Sequence, residues 1–126
     1  MKRKIIAIIS TLLLFLLISC ADGASYQKIT PQEAMEIMTA KESYVLLDVR
    51  SESEYAEQHI EGALLLPGPE LQSRVENVIP DKNTLIFVYC RSGQRSAQAA
   101  RLLVSLGYTN VYDIGGIQTW PYGTVR

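Results

Sequence analysis

The chain has 126 residues, the size of one domain, and carries 12 Lys and Arg against 13 Asp and Glu, a net charge of −1. That balance excludes a strongly basic nucleic-acid binder and a disordered acidic tail, so no nucleic-acid partner is expected. Apolar residues make up 48% and charged residues 20%, which suits an ordinary globular core. Two cysteines cannot build a disulfide framework, and with a single His they make a poor zinc inventory, so no metal site is expected.

The first segment departs from these averages. Met1-Lys2-Arg3-Lys4 is a positive start, and Ile5 to Ile18 is apolar apart from Ser10 and Thr11. That core suits a signal peptide and is shorter than the roughly 20 residues that span a bilayer as a helix. It ends Leu17-Ile18-Ser19-Cys20, which resembles the lipobox of bacterial lipoproteins. The resemblance implies cleavage between Ser19 and Cys20, lipidation of Cys20, and an extracytoplasmic protein held on the periplasmic side of a bacterial membrane. Two or more acyl chains anchor a protein stably where one does so only marginally. Ala21 follows the Cys, where an Asp would resemble an inner-membrane retention signal, so the pattern leans towards the outer membrane. Loss of residues 1–19 would remove Lys2, Arg3 and Lys4 and leave 9 basic against 13 acidic side chains, a formal −4. Residues 20–25 then form the lipidated Cys and a short linker. At about 3.5 Å per residue, Ala21 to Ser25 would reach less than about 20 Å and keep the domain, residues 26–126, close to its membrane.

From Tyr26 the pattern alternates. Tyr26 to Ile29 is a short apolar-leaning start. Thr30-Pro31-Gln32-Glu33 offers an N-cap, a Pro at the first helical position and a capping-box Glu, so a helix is predicted over 31–40. Tyr44 to Asp48 reads as a buried strand. Ser51 and Glu54 repeat the capping-box spacing ahead of a polar helix over 51–58. Ala63 to Leu66 reads as a strand stopped by Pro67-Gly68-Pro69, and Glu70 to Val78 as a helix. Thr84 to Tyr89 is the strongest strand, apolar on both faces. Ser96 to Leu106 is predicted helical, closed by Gly107 as a left-handed cap. Asn110 to Tyr112 is a last strand, and Gly115-Gly116 a turn before a last helix. Strands apolar on both faces that alternate with helices imply an α/β fold, a parallel sheet covered by helices.

Ligands in such sheets bind at the carboxyl ends of the strands. The strongest strand ends at Tyr89 and the next residue is Cys90, followed by Arg91-Ser92-Gly93-Gln94-Arg95-Ser96 and a helix. A thiol at a helix N-terminus faces unpaired N–H groups and the positive end of the helix dipole. Nearby cations lower its pKa further, and Arg91 and Arg95 supply two. Gly93 lets the backbone turn and exposes its N–H groups. The expected product is a cradle for one anion with a thiolate at its base.

On these residues the sequence resembles a single-domain rhodanese, the thiosulfate and persulfide sulfurtransferase family, over about residues 26–123. Cys90-Arg91-Ser92-Gly93-Gln94-Arg95-Ser96 matches that family's active-site loop. Leu46-Leu47-Asp48-Val49-Arg50 matches its Asp-x-Arg strand end. Glu54-Tyr55 with His59-Ile60-Glu61-Gly62-Ala63 matches a third stretch, with Gln58 where Gly is usual. Gly107-Tyr108, Val111 to Gly116 and Trp120 match the closing segment. The resemblance implies a five-stranded, mostly parallel sheet flanked by helices. It implies that Cys90 takes a sulfur atom from a small anionic donor such as thiosulfate or a persulfide. It also implies that the resulting persulfide passes it to a thiol or cyanide acceptor, or to a protein acceptor, with no metal or organic cofactor.

Other residues carry structural expectations. Asp48 and Arg50 are expected to form an ion pair or hydrogen bonds to the loop, with direct substrate contact by Arg50 the sharper alternative. His59 is expected in a structural turn and Trp120 in the core. A Cys-dependent phosphatase would need Arg at the sixth position after Cys90, where Ser96 stands, and a His before it, where Tyr89 stands. A persulfide-carrying module for a protein partner would use the same Cys90. A non-catalytic interaction domain would not need it.

Overall fold

The computed structural model describes residues 25–126. The leader, its cleavage site and Cys20 lie outside the described residues. Among the described residues no helix is long and apolar enough to cross a membrane.

The elements run β1 (Gln27–Lys28), α1 (Pro31–Ala40), β2 (Val45–Asp48), α2 (Glu52–Glu57), β3 (Leu64–Leu65), α3 (Gly68–Val78), β4 (Ile86–Cys90), α4 (Gln94–Ser105) and β5 (Val111–Gly116), then a 3-10 turn (Ile117–Thr119). The five strands form one parallel sheet in the order β1-β5-β4-β2-β3. The predicted α/β fold is therefore present, with helices on both faces. Both predicted capping boxes form. The Thr30 hydroxyl accepts from Glu33 N at 3.1 Å and the Ser51 hydroxyl accepts from Glu54 N at 3.2 Å, while each Glu carboxylate accepts from its cap residue's N–H.

Besides shifts of one or two residues at other element ends, three differences from the sequence expectation have a clear physical reason. Helix α3 starts at Gly68 rather than Glu70, so the Pro-Gly-Pro strand stop is also a helix start. Proline fits a first helical turn because no N–H is needed there, and Gly68 N is tied instead to Val49 O at 3.0 Å. Helix α4 starts at Gln94 rather than Ser96, because Gly93 at φ +105° turns the chain straight into the helix. Strand β5 runs on to Gly116, so Gly115-Gly116 is not a turn but the end of a strand. Gly116 pairs with Cys90 there, and a Cβ on it would lie 2.1 Å from Arg91 O. Only a glycine lets the loop come that close.

Side chains along β4 alternate between two cores. Ile86, Val88 and Cys90 join Leu47, Leu71, Val75, Ala100 and Leu103 on the side of α3 and α4. Phe87 and Tyr89 join Ala34, Met38, Leu46 and Ile60 on the other side, with α1. Period-two alternation thus aims the neighbours Tyr89 and Cys90 at opposite faces. After β2 the chain proceeds to β3 on one side, and after β4 to β5 on the other. The carboxyl ends of β2 and β4 therefore flank the point where the sheet reverses its winding, where such folds place ligands.

Candidate active site

Cys90 ends β4 and is 1% exposed. Its Sγ accepts from Gly93 N at 3.0 Å. The N-terminus of α4 has no side-chain cap and no acidic residue in its first turn, so its N–H groups remain available to an anion. Ser96 is buried in that turn. Its hydroxyl donates to Gly93 O at 3.1 Å and lies 3.4 Å from Gly115 O. Burial pushes the Cys90 thiol up, but the Ser96 hydroxyl and the N–H groups of Ser96, Gly93 and Ser92 outweigh it. The net shift is downward. The leading stabilisation of the thiolate comes from hydrogen-bond donors at the start of α4, the N–H groups the sequence pattern pointed to, and not from the two arginines it added to them.

The arginines are deployed unequally. Arg91 is exposed, and among the described residues no carboxylate lies within 4.0 Å of its guanidinium. It lines a cleft of about 230 Å³ with Arg50, Glu54, Glu57, Gln58, Ile117 and Gln118. Arg95 is not free. Its two terminal nitrogens donate to Glu54 Oε1 at 2.7 Å and Oε2 at 2.8 Å. Ser92 and Gln94 are exposed at the loop surface.

Asp48 and Arg50 form the expected ion pair at 2.7 Å, with both side chains buried. Arg50 also donates from Nη2 to Gln58 O at 2.7 Å. The Tyr89 hydroxyl donates to Asp48 Oδ2 at 2.6 Å and accepts from Ile60 N at 3.1 Å. Burial disfavours the Arg50 charge, but Asp48 more than compensates and the guanidinium is held above its ordinary range. Gln58 has φ −165°, an extended backbone that any residue adopts, so its departure from the usual Gly is harmless. His59 stacks on Tyr55 at 3.7 Å, its Nδ1 lies 2.8 Å from Tyr55 O, and its backbone pairs with Val125. That is the structural turn expected of it. Trp120 is only half-buried, against the core on the α1 side.

The sequence reading missed Glu54 and Tyr89. Glu54 was legible as a capping-box residue and as part of a family-like stretch, but its pairing with Arg95 depends on α2 lying beside α4. Tyr89 could have been found from its register, since it pairs with Asp48 across β4 and β2.

Residues 30–121 match the rhodanese-like domain family. The thiosulfate sulfurtransferase PspE of Escherichia coli is 39% identical over 72 residues, which cover 57% of this chain and 69% of PspE. The thiosulfate sulfurtransferase GlpE of Coxiella burnetii is 40% identical over 96 residues, covering 75% of this chain and 87% of GlpE. Among solved structures, a rhodanese with anions from E. coli superposes with a TM-score of 0.63 at 34% identity, over 67% of this chain and 99% of that one. The Alr3790 protein from Anabaena reaches 0.71 at 27% identity, over 77% and 80%. The match spans every strand of the sheet but β1 and includes the whole Cys90 loop, and the chain accordingly belongs to the rhodanese-like family and is a sulfurtransferase of the rhodanese type.

Proposed function

We propose that the protein moves sulfane sulfur from thiosulfate or a persulfide donor to a thiol or cyanide acceptor through a persulfide on Cys90. The observation that carries this reading is the Cys90 sulfur 3.0 Å from Gly93 N at the uncapped start of α4. The thiolate attacks the outer sulfur of thiosulfate, an S–S bond forms on Cys90, and the donor's S–S bond breaks with its electron pair leaving on sulfite. Attack of cyanide on the outer persulfide sulfur then returns the Cys90 thiolate and releases thiocyanate. The N–H groups that favour the thiolate also favour the persulfide anion, one atom further out. No side-chain base is needed when the sulfur is already ionised. The names of PspE and GlpE support thiosulfate as a donor.

The leader pattern supports a lipid anchor at Cys20 on the extracytoplasmic side of a bacterial membrane. Cys90 is then the thiol of the anchored domain, with no second Cys beside it to form an internal disulfide.

The test is the intact mass of the purified, reduced protein before and after thiosulfate. A gain of one sulfur atom, absent in Cys90→Ser and discharged by cyanide as thiocyanate, is the expected result. No gain on a fully reduced Cys90 overturns thiosulfate as donor.

A further inference from the structure

Of the two cations that the loop pattern offers to a substrate, one is already engaged. Arg95 meets Glu54 with two parallel bonds of 2.7 and 2.8 Å, the geometry of a strong carboxylate pair. Glu54 is itself fixed from a second direction, since its Oε1 accepts from Ser51 N at 3.2 Å and from the Ser51 hydroxyl at 3.0 Å. The pair therefore joins the first turn of α2 to the first turn of α4. Arg95 pulls the Glu54 carboxyl down to about 2 against the opposing effect of burial, with help from Ser51. Glu54 thus stays ionised at any working pH. Arg95 also senses the charge on Cys90, so its own charge lies within electrostatic reach of the sulfur.

The surroundings of the loop follow from this pairing. In the cleft beside it, Arg50 is balanced by Asp48 and Arg95 by Glu54, and Glu57 is a further carboxylate. Arg91 is left to meet an incoming anion. A second negative charge on the donor gains little from such an arrangement, because the pairing of Arg95 with Glu54 removes a guanidinium that would otherwise favour it.

We propose that Glu54 is a donor-selectivity residue. By occupying Arg95 it tilts the site towards sulfane-sulfur donors of single negative charge, organic thiosulfonates and persulfides, and away from dianionic thiosulfate. The proposal rests on the sulfur-transfer reading of Cys90 given above. With a thiosulfonate the same step balances. The Cys90 thiolate forms a bond to the terminal sulfur, the sulfur–sulfonyl bond breaks, and a sulfinate leaves with the electron pair. Glu54 acts on the donor through Arg95 and takes no part in bond making.

The experiment compares kcat/KM for thiosulfate and for methanethiosulfonate, with cyanide as acceptor, in wild type, Glu54→Gln and Glu54→Gln/Arg95→Gln. Glutamine still serves a capping box, so α2 keeps its start. Glu54→Gln is expected to raise kcat/KM for thiosulfate by about 3- to 10-fold, the effect of one screened unit charge on a dianion. The monoanion should gain about the square root of that, about 2- to 3-fold. The gain should shrink as ionic strength rises and vanish in the double variant. An equal change for both donors, a fall for both, or a gain that survives in the double variant overturns the proposal. Wild-type Cys90 that takes sulfur from neither donor, read by intact mass, is a different result. It overturns the sulfur-transfer reading and the proposal with it.

Discussion

Tyr89 and Cys90 are neighbours at the end of one strand, and they teach different things. Tyr89 points to the α1 side, where its hydroxyl, the Asp48 carboxylate and the Arg50 guanidinium exchange bonds with Ile60 N and Gln58 O. Among the described residues no buried side-chain nitrogen or oxygen lacks a partner, so this network is closed. Cys90 points to the α3 and α4 side, where the helix N-terminus has donors to spare. A polar group whose partners all lie inside the fold holds the fold together. Donors left without a structural partner are free for a transferred sulfur. On this view the two cations next to the chemistry, Arg50 and Arg95, do their work by being neutralised, and the backbone supplies the anion site.

The comparison is broken most directly at the sulfur. Cys90→Ser should abolish persulfide formation, read as no mass gain from any donor. It should leave the unfolding midpoint close to wild type, because the replacement is small and keeps a group that can accept from Gly93 N. Next comes the closed network. Asp48→Ala leaves Arg50 buried at 3% exposure without its countercharge, and removing one partner of such a pair costs about 3–5 kcal/mol. Urea unfolding should show that loss. Tyr89→Phe should cost about 1–3 kcal/mol, since Asp48 and Ile60 N each lose a partner. Where enough protein remains folded, thiosulfate turnover per folded molecule should change little in Tyr89→Phe and should not fall in Asp48→Ala, which frees the Arg50 charge beside the cleft. Full stability with lost turnover would mean that this network touches the substrate, and the division drawn here would fail.

The third test lies where the sequence was least legible. The strands, the parallel α/β order, the Cys90 loop and the Asp48–Arg50 pair all showed in the sequence, because each is written in local pattern: apolar runs, capping residues, a Gly after a Cys. The left-handed Gly107 after α4 was legible for the same reason, and its φ is +96°. What escaped depends on contacts between segments distant in the chain. Gly116 looked like a turn residue, but β5 passes against the loop and brings it, 25 residues beyond Arg91 in the chain, into contact with that residue through its missing side chain. Arg95 looked like a substrate cation until α2 was seen to bring Glu54 to it. Gly116→Ala should therefore act on the loop, because its Cβ would sit 2.1 Å from Arg91 O and 2.6 Å from Arg91 C. Displacing a reacting group by about 1 Å costs roughly 100-fold, so kcat/KM should fall by about that factor. A variant with normal kinetics would show that the loop can shift without harm.

The smallest effect is the most diagnostic of how the thiolate is held. Ser96 contributes a hydroxyl and an N–H to the lowering of the Cys90 thiol, and Ser96→Ala removes only the hydroxyl. The folded thiol should then titrate at higher pH. Because its folded pKa lies below the unfolded one, ionised Cys90 stabilises the fold above the unfolded thiol's range, and that contribution is lost as pH falls through the folded value. Ser96→Ala should shrink this contribution without changing its sign. The rate of persulfide loading gives the sharper readout. Below the midpoint the variant has less thiolate, but a more basic thiolate is the better nucleophile, with a Brønsted slope of about 0.4–0.5. The two effects partly cancel, leaving the variant about threefold slower below the midpoint and about threefold faster on the plateau above it, for a hydrogen bond to a charged group of ordinary strength, about 1.5 kcal/mol. The pH–rate profiles of wild type and Ser96→Ala should therefore cross. A variant slower at every pH would mean that Ser96 holds the loop through its bonds to Gly93 O and Gly115 O rather than tuning the sulfur.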